Sequence, residues 1–278
     1  MLAGDFLERA GTQEQKQEWI PKLIAGQSHI ALAHVETQAR FLLDHVETRY
    51  QANGEAAYLS GKKTFVIGAA AADAFILSAI SHTDSASHSD NISFFLVDKN
   101  APGLTIRKYR LIDGSIACQL TLKNVPSNPM QGTFQDLLFS IAKTKIGACA
   151  EMLGLMECLY EATLEHVKTR EQFGRQLSKF QVISHRIAEA YASLELCRSH
   201  VMRLATLNET DSDYMRIISG VKAFMSKAAI SMGEEAIQLH GGMGITDELI
   251  VGHAFKRILL LSTLFGDEDT ELKRYIQS

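Results

Sequence analysis

The chain has 278 residues, 28 basic and 32 acidic side chains, a formal net charge of −4 and a hydrophobic content of 46%. This length predicts two domains, with room for part of a third. The composition is that of a globular protein and argues against a disordered chain. The slightly acidic balance provides no basic surface for a phosphate polymer, so we expect no nucleic-acid partner.

Cysteine spacing and apolar run lengths bear on where the protein works. The four cysteines are widely spaced and form no CxxC pair, which favours a reduced, cytoplasmic setting. No run of eighteen apolar residues occurs, so we expect no membrane span. Asp5 lies inside the first apolar stretch, which is atypical of a signal peptide.

Residues 1–27 are predicted to be helical. Thr12 is followed three residues later by Gln15, the spacing of a capping box at the start of a helix. Gly26 is a plausible helix stop, because glycine is the residue that most readily adopts the conformation found just after a helix.

Residues 28–128 show the pattern of strands. Turn signals occur at Asn53-Gly54, Ser60-Gly61 and Asp113-Gly114. The alternation of apolar and polar residues over 118–123 has the period of a half-buried strand. We therefore expect an antiparallel barrel or sandwich in this region.

The rest of the chain is predicted to be helical. All four prolines lie at or before Pro129, and a long tract without proline permits long helices. Two stretches with capping-box spacing, 133–136 and 178–181, predict helix starts. Strands followed by helices indicate an α+β fold with separate layers. The four predicted helices run over about 133–172, from 178 onward, over 212–239 and over 247–264.

Metal and nucleophile motifs are absent from the sequence. No histidine of the helical region has a glutamate three residues before it, which a di-iron bundle would need. His-Glu-x-x-His, Gly-x-Ser-x-Gly and P-loop patterns do not occur either. We therefore predict no metal site and interpret the histidines as packed or surface residues.

Two segments at predicted helix ends carry a chemical signal. In residues 170–174, Arg-Glu-Gln-Phe-Gly, an arginine fork lies near an aromatic ring, which suits a pyrophosphate and an adenine. In residues 238–244, Gln-Leu-His-Gly-Gly-Met-Gly, adjacent glycines allow a backbone to approach a ligand closely. The glutamine there offers an amide donor and acceptor. Each segment also fits an ordinary helix end, but the pair about seventy residues apart is specific.

Together these two segments resemble the acyl-CoA dehydrogenase family of flavoproteins. The resemblance extends through residues 145–154 and 15–23 and covers essentially the whole chain. Residues 253–257 and 263–267 are similar to the small subunits of heteromeric members, such as the pimeloyl-CoA dehydrogenase type. The resemblance implies three parts. The remnant of an N-terminal helical domain would cover residues 1–27, a β-barrel middle domain residues 28–130, and a C-terminal four-helix bundle residues 131–278.

The resemblance also implies a cofactor and a reaction. FAD would be held across a subunit interface, with Arg170, Gln172 and Phe173 meeting its nucleotide and a second segment reaching it from the neighbouring chain. The reaction would be α,β-desaturation of an acyl-CoA thioester, as in fatty acid metabolism, with the hydride passing to flavin N5 and a carboxylate taking the α-proton. Electrons would leave to an electron-transfer flavoprotein, and the protein would be a homo- or hetero-oligomer. The second segment supplies Gln238, Gly241 and Gly242.

The sequence departs from the family pattern at four places. Only the last helix of the N-terminal domain is expected, and without the rest the acyl pocket would be open to water. The family's Tyr-Glu-Gly-Thr segment is replaced by residues 264–269, where the nearest acids are Asp267 and Glu268. The acids over 267–269 equally fit the start of a final helix. Relatives carry Trp-Ile-Thr where this chain has residues 65–67, so Phe65 would cover the flavin ring. The family's Thr-Glu-Pro-Gly loop is replaced by residues 35–40, which predicts fewer hydrogen bonds to the ring.

Three hypotheses therefore stand. The first is an FAD-dependent acyl-CoA dehydrogenase with Asp267 as its base. The second is a non-catalytic structural subunit that completes the flavin site of a larger partner. The third is a fragment without function, which predicts an exposed apolar patch.

Overall fold

The computed structural model describes residues 1–54 and 56–277 of the chain. These residues form two compact units, Met1–Thr144 and Lys145–Ser278, and the division falls inside a long helix. None of the helices found in the described ranges has the length and apolarity needed to cross a bilayer.

The first unit begins with two short helices, α1 (Leu2–Ala10) and α2 (Gln13–Ile24). The predicted capping box is confirmed: the Gln15 backbone N–H donates to Thr12 Oγ1 at 3.3 Å, and the Thr12 N–H donates to Gln15 Oε1 at 3.0 Å. Gly26 follows α2 with a positive φ of 66°, as predicted for a helix stop.

A closed β-barrel forms the centre of this unit. Its ring runs β4–β2–β3–β7–β5 and closes through the pairing of β5 with β4, while β1 adds to β4 and β6 adds to β7. Aliphatic and aromatic side chains such as Phe75, Phe95 and Leu120 fill the interior. The strands are β1 (Ile30–Ala33), β2 (Arg49–Asn53), β3 (Ala56–Ile67), β4 (Ala74–Ser81), β5 (Ser93–Asp98), β6 (Leu104–Arg110) and β7 (Ile116–Pro129).

The barrel is mixed rather than wholly antiparallel. Strand β4 runs parallel to β1 and to β2, whereas the other pairings of the barrel that the structure describes are antiparallel. The two strands pair with different parts of β4, β1 with residues 74–77 and β2 with residues 80–81. The chain joins β1 to β2 by a long connection over residues 34–48.

Two of the three predicted turns are confirmed and one is wrong. Gly54 (φ 64°) lies between β2 and β3, and Gly114 (φ 84°) lies between β6 and β7. Gly61 is instead inside β3, where a Cβ would lie 2.8 Å from the Cα of Thr48. Glycine is needed there because two backbones approach each other closely.

The helical region is dominated by three long helices. The capping box predicted at its start is confirmed, since the Asp136 N–H donates to Thr133 Oγ1 at 3.3 Å and the Thr133 N–H donates to Asp136 Oδ2 at 2.8 Å. The capping box predicted for 178–181 is wrong, because the second long helix starts later, after Phe180. The helices are α3 (Phe134–Thr169), α4 (Gln181–Ala205), α5 (Tyr214–His240), α6 (Ile250–Thr263) and α7 (Glu268–Gln277).

Helix α7 goes beyond the predicted four-helix bundle. It packs against α5, and a Cβ on Gly220 of α5 would lie 2.7 Å from the ring of Tyr275. The close approach of these helices therefore depends on a residue without a side chain. The predicted α+β class, with a barrel followed by helices, is confirmed.

Candidate cofactor-binding corner

The segment 170–176 forms a small hairpin directly after α3. Strands β8 (Glu171–Gln172) and β9 (Arg175–Gln176) pair in antiparallel register. Arg170 lies at the base of the hairpin: its N–H donates to the His166 carbonyl at 2.8 Å, and its carbonyl accepts from the Leu177 N–H at 2.9 Å. The backbone of Arg170 is thus fixed while its side chain is exposed.

The tip of this hairpin presents an aromatic ring to solvent. Phe173 and Gly174 have φ of 54° and 77°, the left-handed pair that a two-residue hairpin turn requires. The Phe173 side chain is 91% exposed and meets Phe180 only edge-on, at 6.3 Å between ring centroids. A phenylalanine ring that faces water from a turn with positive φ is unfavourable unless something covers it. The Phe173 ring is therefore available to stack on a planar ligand.

The second predicted segment lies at the end of α5. Gln238 is exposed in the last turn, and Gly241 follows with φ 63° and ψ −143°, a conformation that is essentially reserved for glycine. A Cβ on Gly241 or on Gly242 would meet no atom within 4 Å. The backbone at these two residues is therefore open to a ligand from outside.

Stacked histidines bring the two segments together. The rings of His166 on α3 and His240 on α5 lie 4.3 Å apart between centroids and 25° from parallel. The Nδ1 of His240 donates to the Ala236 carbonyl at 2.8 Å. Burial lowers the pKa of His166, and neighbouring His240 and Arg170 lower it further. The ends of α3 and α5 are thus adjacent within one chain, and the expectation that the second segment reaches the cofactor of a neighbouring chain stays a prediction.

Asp267 has a structural position at the start of α7. Its Oδ1 accepts the Thr270 N–H at 2.9 Å, and its carbonyl accepts the Glu271 N–H at 3.0 Å. Hydrogen bonds from Thr270 hold the pKa of Asp267 below its ordinary value. This is the geometry of an N-cap, the alternative that the sequence left open beside a catalytic role.

Glu271 is the acid that sequence reasoning missed. It is fully buried and pairs with Lys145 of α3, Nζ to Oε1 2.7 Å, and with Arg274. Arg274 Nη1 also donates to the Phe265 carbonyl at 2.7 Å, which ties down the segment before α7. A basic residue on the apolar face of α3 was the available signal, because a buried lysine requires a partner.

Phe65 belongs to the first unit. It lies at a bulge in β3, between the pairings of Lys63 and Val66 with β7, and has a positive φ of 53°. Its N–H donates to the Tyr109 hydroxyl at 2.9 Å, and its side chain is half-buried. A bulge changes the direction in which a side chain points. Here the hydroxyl of Tyr109, which sequence reasoning did not single out, stabilises the bulge.

A buried polar network fixes the 34–48 connection in the same unit. Lys63 Nζ donates to Glu36 Oε1 at 2.7 Å and to Ser78 Oγ at 2.9 Å. Glu36 also accepts hydrogen bonds from the Glu47 N–H, at 2.7 Å, and from Thr48. Burial raises the pKa of Glu36, but Lys63 and these hydrogen bonds outweigh it and hold the pKa below its ordinary value.

Within 1–54 and 56–277, no group of three histidine, cysteine or acidic side chains could hold an ion. The thiols of Cys149 and Cys197 are buried, and burial raises their pKa to about 12 and about 11, so they are unreactive packing residues.

Comparison with known proteins identifies the family. The model of the acyl-CoA dehydrogenase C-terminal domain matches residues 137–277, and that of the middle domain matches residues 31–125. The chain belongs to the acyl-CoA dehydrogenase family. Members of this family are FAD-dependent flavoprotein oxidoreductases.

Individual relatives agree with this assignment. A 3-(aryl)acrylate reductase from Clostridium sporogenes is 26% identical over 280 residues, covering 98% of this chain and 74% of that protein. An acyl-CoA dehydrogenase from Bacillus subtilis is 31% identical over 243 residues, covering 84% of this chain and 64% of that protein. A solved structure, "PigA with FAD and proline", superposes with a TM-score of 0.92 at 26% identity, covering 99% of this chain and 74% of that one. The chain thus spans about two thirds to three quarters of these relatives.

The exposed groups at the corner fit the nucleotide part of FAD. Arg170 offers a guanidinium that makes no side-chain hydrogen bond within the described part of the chain, and Gln238 offers a free amide. Phe173 offers an open aromatic face, and Gly242 leaves room for a phosphate beside its backbone. Cationic forks, amide groups, aromatic faces and bare backbone are the groups that bind a dinucleotide.

Proposed function

We propose that this chain binds the adenine nucleotide half of FAD at this corner and works in an acyl-CoA dehydrogenase reaction. The observation that supports the proposal is that the segments 170–174 and 238–242 lie side by side. The side chains of Arg170, Phe173 and Gln238 in these segments are exposed. Arg170 would bind the pyrophosphate, Phe173 would stack on the adenine, and Gln172 and Gln238 would hydrogen-bond the nucleotide. The backbone at Gly241 and Gly242 would approach the phosphates.

The proposed reaction is the α,β-desaturation of an acyl-CoA thioester. FAD, when bound, supplies the acceptor for the hydride that leaves the β-carbon. The chain's own contribution is to hold the nucleotide rigidly, through the hairpin after α3 and the histidine stack, and to cover the flavin ring with Phe65. Asp267 is the proposed base for the α-proton, and an electron-transfer flavoprotein is the proposed electron acceptor.

An absorption spectrum with the oligomeric mass tests the proposal. The purified protein should be yellow, hold FAD and reduce an artificial acceptor with an acyl-CoA. Arg170→Gln should weaken FAD binding at least about tenfold, because a fork to a phosphate is worth more than about 1.4 kcal/mol. The matched control is Lys168→Gln, an exposed charge at the same helix end. If both variants lost FAD affinity equally, the effect would come from overall charge alone. That result would contradict the assignment of Arg170 to the pyrophosphate.

A second function, a non-catalytic subunit of a heteromer, is favoured by the acids near α7. Asp267 caps the helix, and Glu271 is neutralised by Lys145 and Arg274. Neither carboxylate is free to take a proton from a substrate without first breaking these contacts. Such a chain would match the small subunits of pimeloyl-CoA dehydrogenase type and would complete a partner's flavin site.

The two functions differ in what Asp267→Asn does. Asparagine keeps the cap but cannot act as a base, so loss of turnover with FAD retained supports the dehydrogenase with its own base. Unchanged turnover removes Asp267 from the mechanism. Co-purification of a larger partner, whose own base alone controls turnover, supports the structural subunit. A homo-oligomer with flavin and turnover excludes it.

A further inference from the structure

A groove unrelated to the cofactor corner lies on the helical unit between α4, α5 and α7. Its volume is about 360 Å³. Volumes of roughly 300–1,000 Å³ are typical of sites for small molecules, so this groove has room for a body of one or two rings. It is formed entirely by residues of the second unit.

The walls of the groove are aromatic and aliphatic. Phe224, Leu272 and Tyr275 line it and are 39%, 45% and 38% exposed. The Tyr275 ring packs directly on the backbone of α5 at Gly220, and His200 lies against the Phe224 ring, 4.8 Å between centroids. Large half-exposed rings held by such contacts form a preorganised apolar surface rather than mobile side chains.

The rim of the groove is positively charged. Arg203, Arg216 and Lys227 face a single acid, Glu268, among the lining residues. Lys227 pairs weakly with that acid at 3.5 Å. Asp213 is not a lining residue, but it pairs with Arg216, and Arg216 together with Arg203 lowers its pKa. The rim thus has three cations against these two acids, and the excess positive charge favours an anionic ligand.

Two arginines on the rim differ in their freedom. Arg216 is held by Asp213, Nη2 to Oδ2 3.0 Å, and lies over the Tyr275 ring at 5.3 Å. Arg203, at the end of α4, is exposed and has no ion pair or side-chain hydrogen bond to any residue that the structure describes. Arg203 is thus the fork that can turn toward a bound carboxylate without breaking an ion pair or a side-chain hydrogen bond.

We propose that this groove binds a small planar aromatic monoanion, an aromatic carboxylate of one or two rings. The ring would lie between Phe224 and Tyr275, and the carboxylate would be held by Arg203. This site does not overlap the cofactor corner, so it is independent of the proposed function.

Photolabelling of the 278-residue chain with 4-azidobenzoate tests the proposal. Labels should map to peptides of α5 and α7 that contain Phe224 or Tyr275 and should be displaced by excess benzoate. Arg203→Gln should raise the probe concentration for half-labelling about tenfold, the effect of one charged hydrogen bond. Arg203→Lys should lose less than Arg203→Gln, because it keeps the charge but not the fork.

Two further variants keep the test decisive. Phe224→Ala removes a half-exposed wall and should weaken labelling to a similar degree. Lys123→Glu, an exposed charge reversal on β7, should leave labelling unchanged. Labels spread over the surface, labels on the 170–180 segment, or unaltered labelling in Arg203→Gln would overturn the proposal. So would labelling that appears only on dilution, because it would indicate that another chain covers the groove.

Discussion

Lys145 of α3 donates a hydrogen bond to Glu271 of α7, Nζ to Oε2 2.8 Å, with both side chains buried. Burial lowers the pKa of Lys145 to about 8, although Glu271 opposes the shift. The Glu271 carboxylate also pairs with Arg274, and Arg274 in turn donates a hydrogen bond to the Phe265 carbonyl. One ion pair therefore fixes the position of the segment that precedes α7, and this segment carries the candidate base Asp267.

The first prediction concerns this pair. Glu271→Leu leaves Lys145 buried without its partner and should lower the free energy of unfolding by about 3–5 kcal/mol, measured by urea denaturation. Replacing both, as Lys145→Met with Glu271→Leu, should cost clearly less than Glu271→Leu alone, because no charge is stranded. The exposed pair of Lys22 with Glu18, at 3.2 Å, is the control: Glu18→Gln should cost at most about 1 kcal/mol. A double variant as unstable as Glu271→Leu would refute the assignment of the cost to a stranded charge.

The second prediction is a pH dependence that arises at His34. The ring is fully buried: Nε2 donates to the Leu43 carbonyl at 2.7 Å, and Nδ1 accepts from Ser78 Oγ at 2.8 Å. Burial lowers the pKa of His34 to about 3, and the charge of Lys63 adds to the shift. Between about pH 6.5 and about 3 the unfolded chain therefore binds a proton that the folded chain does not, so stability falls as the pH falls through this window.

Its measurement compares unfolding free energies at several pH values. The contribution of His34 approaches about 1.4 kcal/mol per pH unit within the window. His34→Gln should remove this part of the acid sensitivity, although it also costs stability at pH 7 through a poorer fit in the core. His82→Gln, at an exposed position, should leave the slope unchanged. Identical slopes for wild type and His34→Gln would contradict the prediction.

The third prediction separates capping from catalysis at Asp267. Asp267→Asn preserves an acceptor for the Thr270 N–H and should change stability by only a few tenths of a kcal/mol, whereas Asp267→Ala should cost about 1 kcal/mol. Because the folded pKa of Asp267 is lowered, its stabilising contribution is present above about pH 4 and is lost as the pH falls further. Thermal denaturation of both variants at pH 7 checks the order, and equal stabilities would show that the cap is not formed in solution.

Local signals predicted most of the fold. The capping boxes at Thr12 and Thr133 depend on residues three positions apart, and both are present. Three further features likewise depend on residues close together in the sequence. They are the strand region, the helices beyond residue 129, where proline is absent, and the turn at Gly54. These features could be predicted because the interactions behind them lie within a few residues of each other.

Long-range relationships were the ones missed. Gly61 looked like a turn because its close approach to Thr48 depends on the pairing of distant strands. Ser178 looked like a helix cap, but it lies in a short 3-10 turn, Leu177–Lys179, and α4 starts only after Phe180. At the site, Lys145 on the apolar face of α3 signalled a buried partner, but Glu271 lies 126 positions away and no local pattern identifies it. The helix ends at Arg170 and Gly241 do have recognisable sequence patterns, while the binding roles of these two residues stay predictions.

The last prediction uses three glycines that differ in backbone and surroundings. Gly242→Ala has room for its methyl group and should fold with the stability of the wild type. Its FAD dissociation constant should rise at least about tenfold, because the methyl group would lie between the backbone and the phosphates. Gly241→Ala differs, because φ there is 63°, so it should also lose about 1–3 kcal/mol of stability.

Gly154→Ala is the matched control for this series. Gly154 is exposed within α3, and a Cβ there would meet no atom within 4 Å. Alanine is favoured over glycine in a helix, so this variant should gain about 0.5–1 kcal/mol of stability while FAD binding stays unchanged. Flavin fluorescence titration gives the dissociation constants, and urea denaturation gives the stabilities. A Gly242→Ala variant that binds FAD as tightly as Gly154→Ala would show that the nucleotide is bound elsewhere.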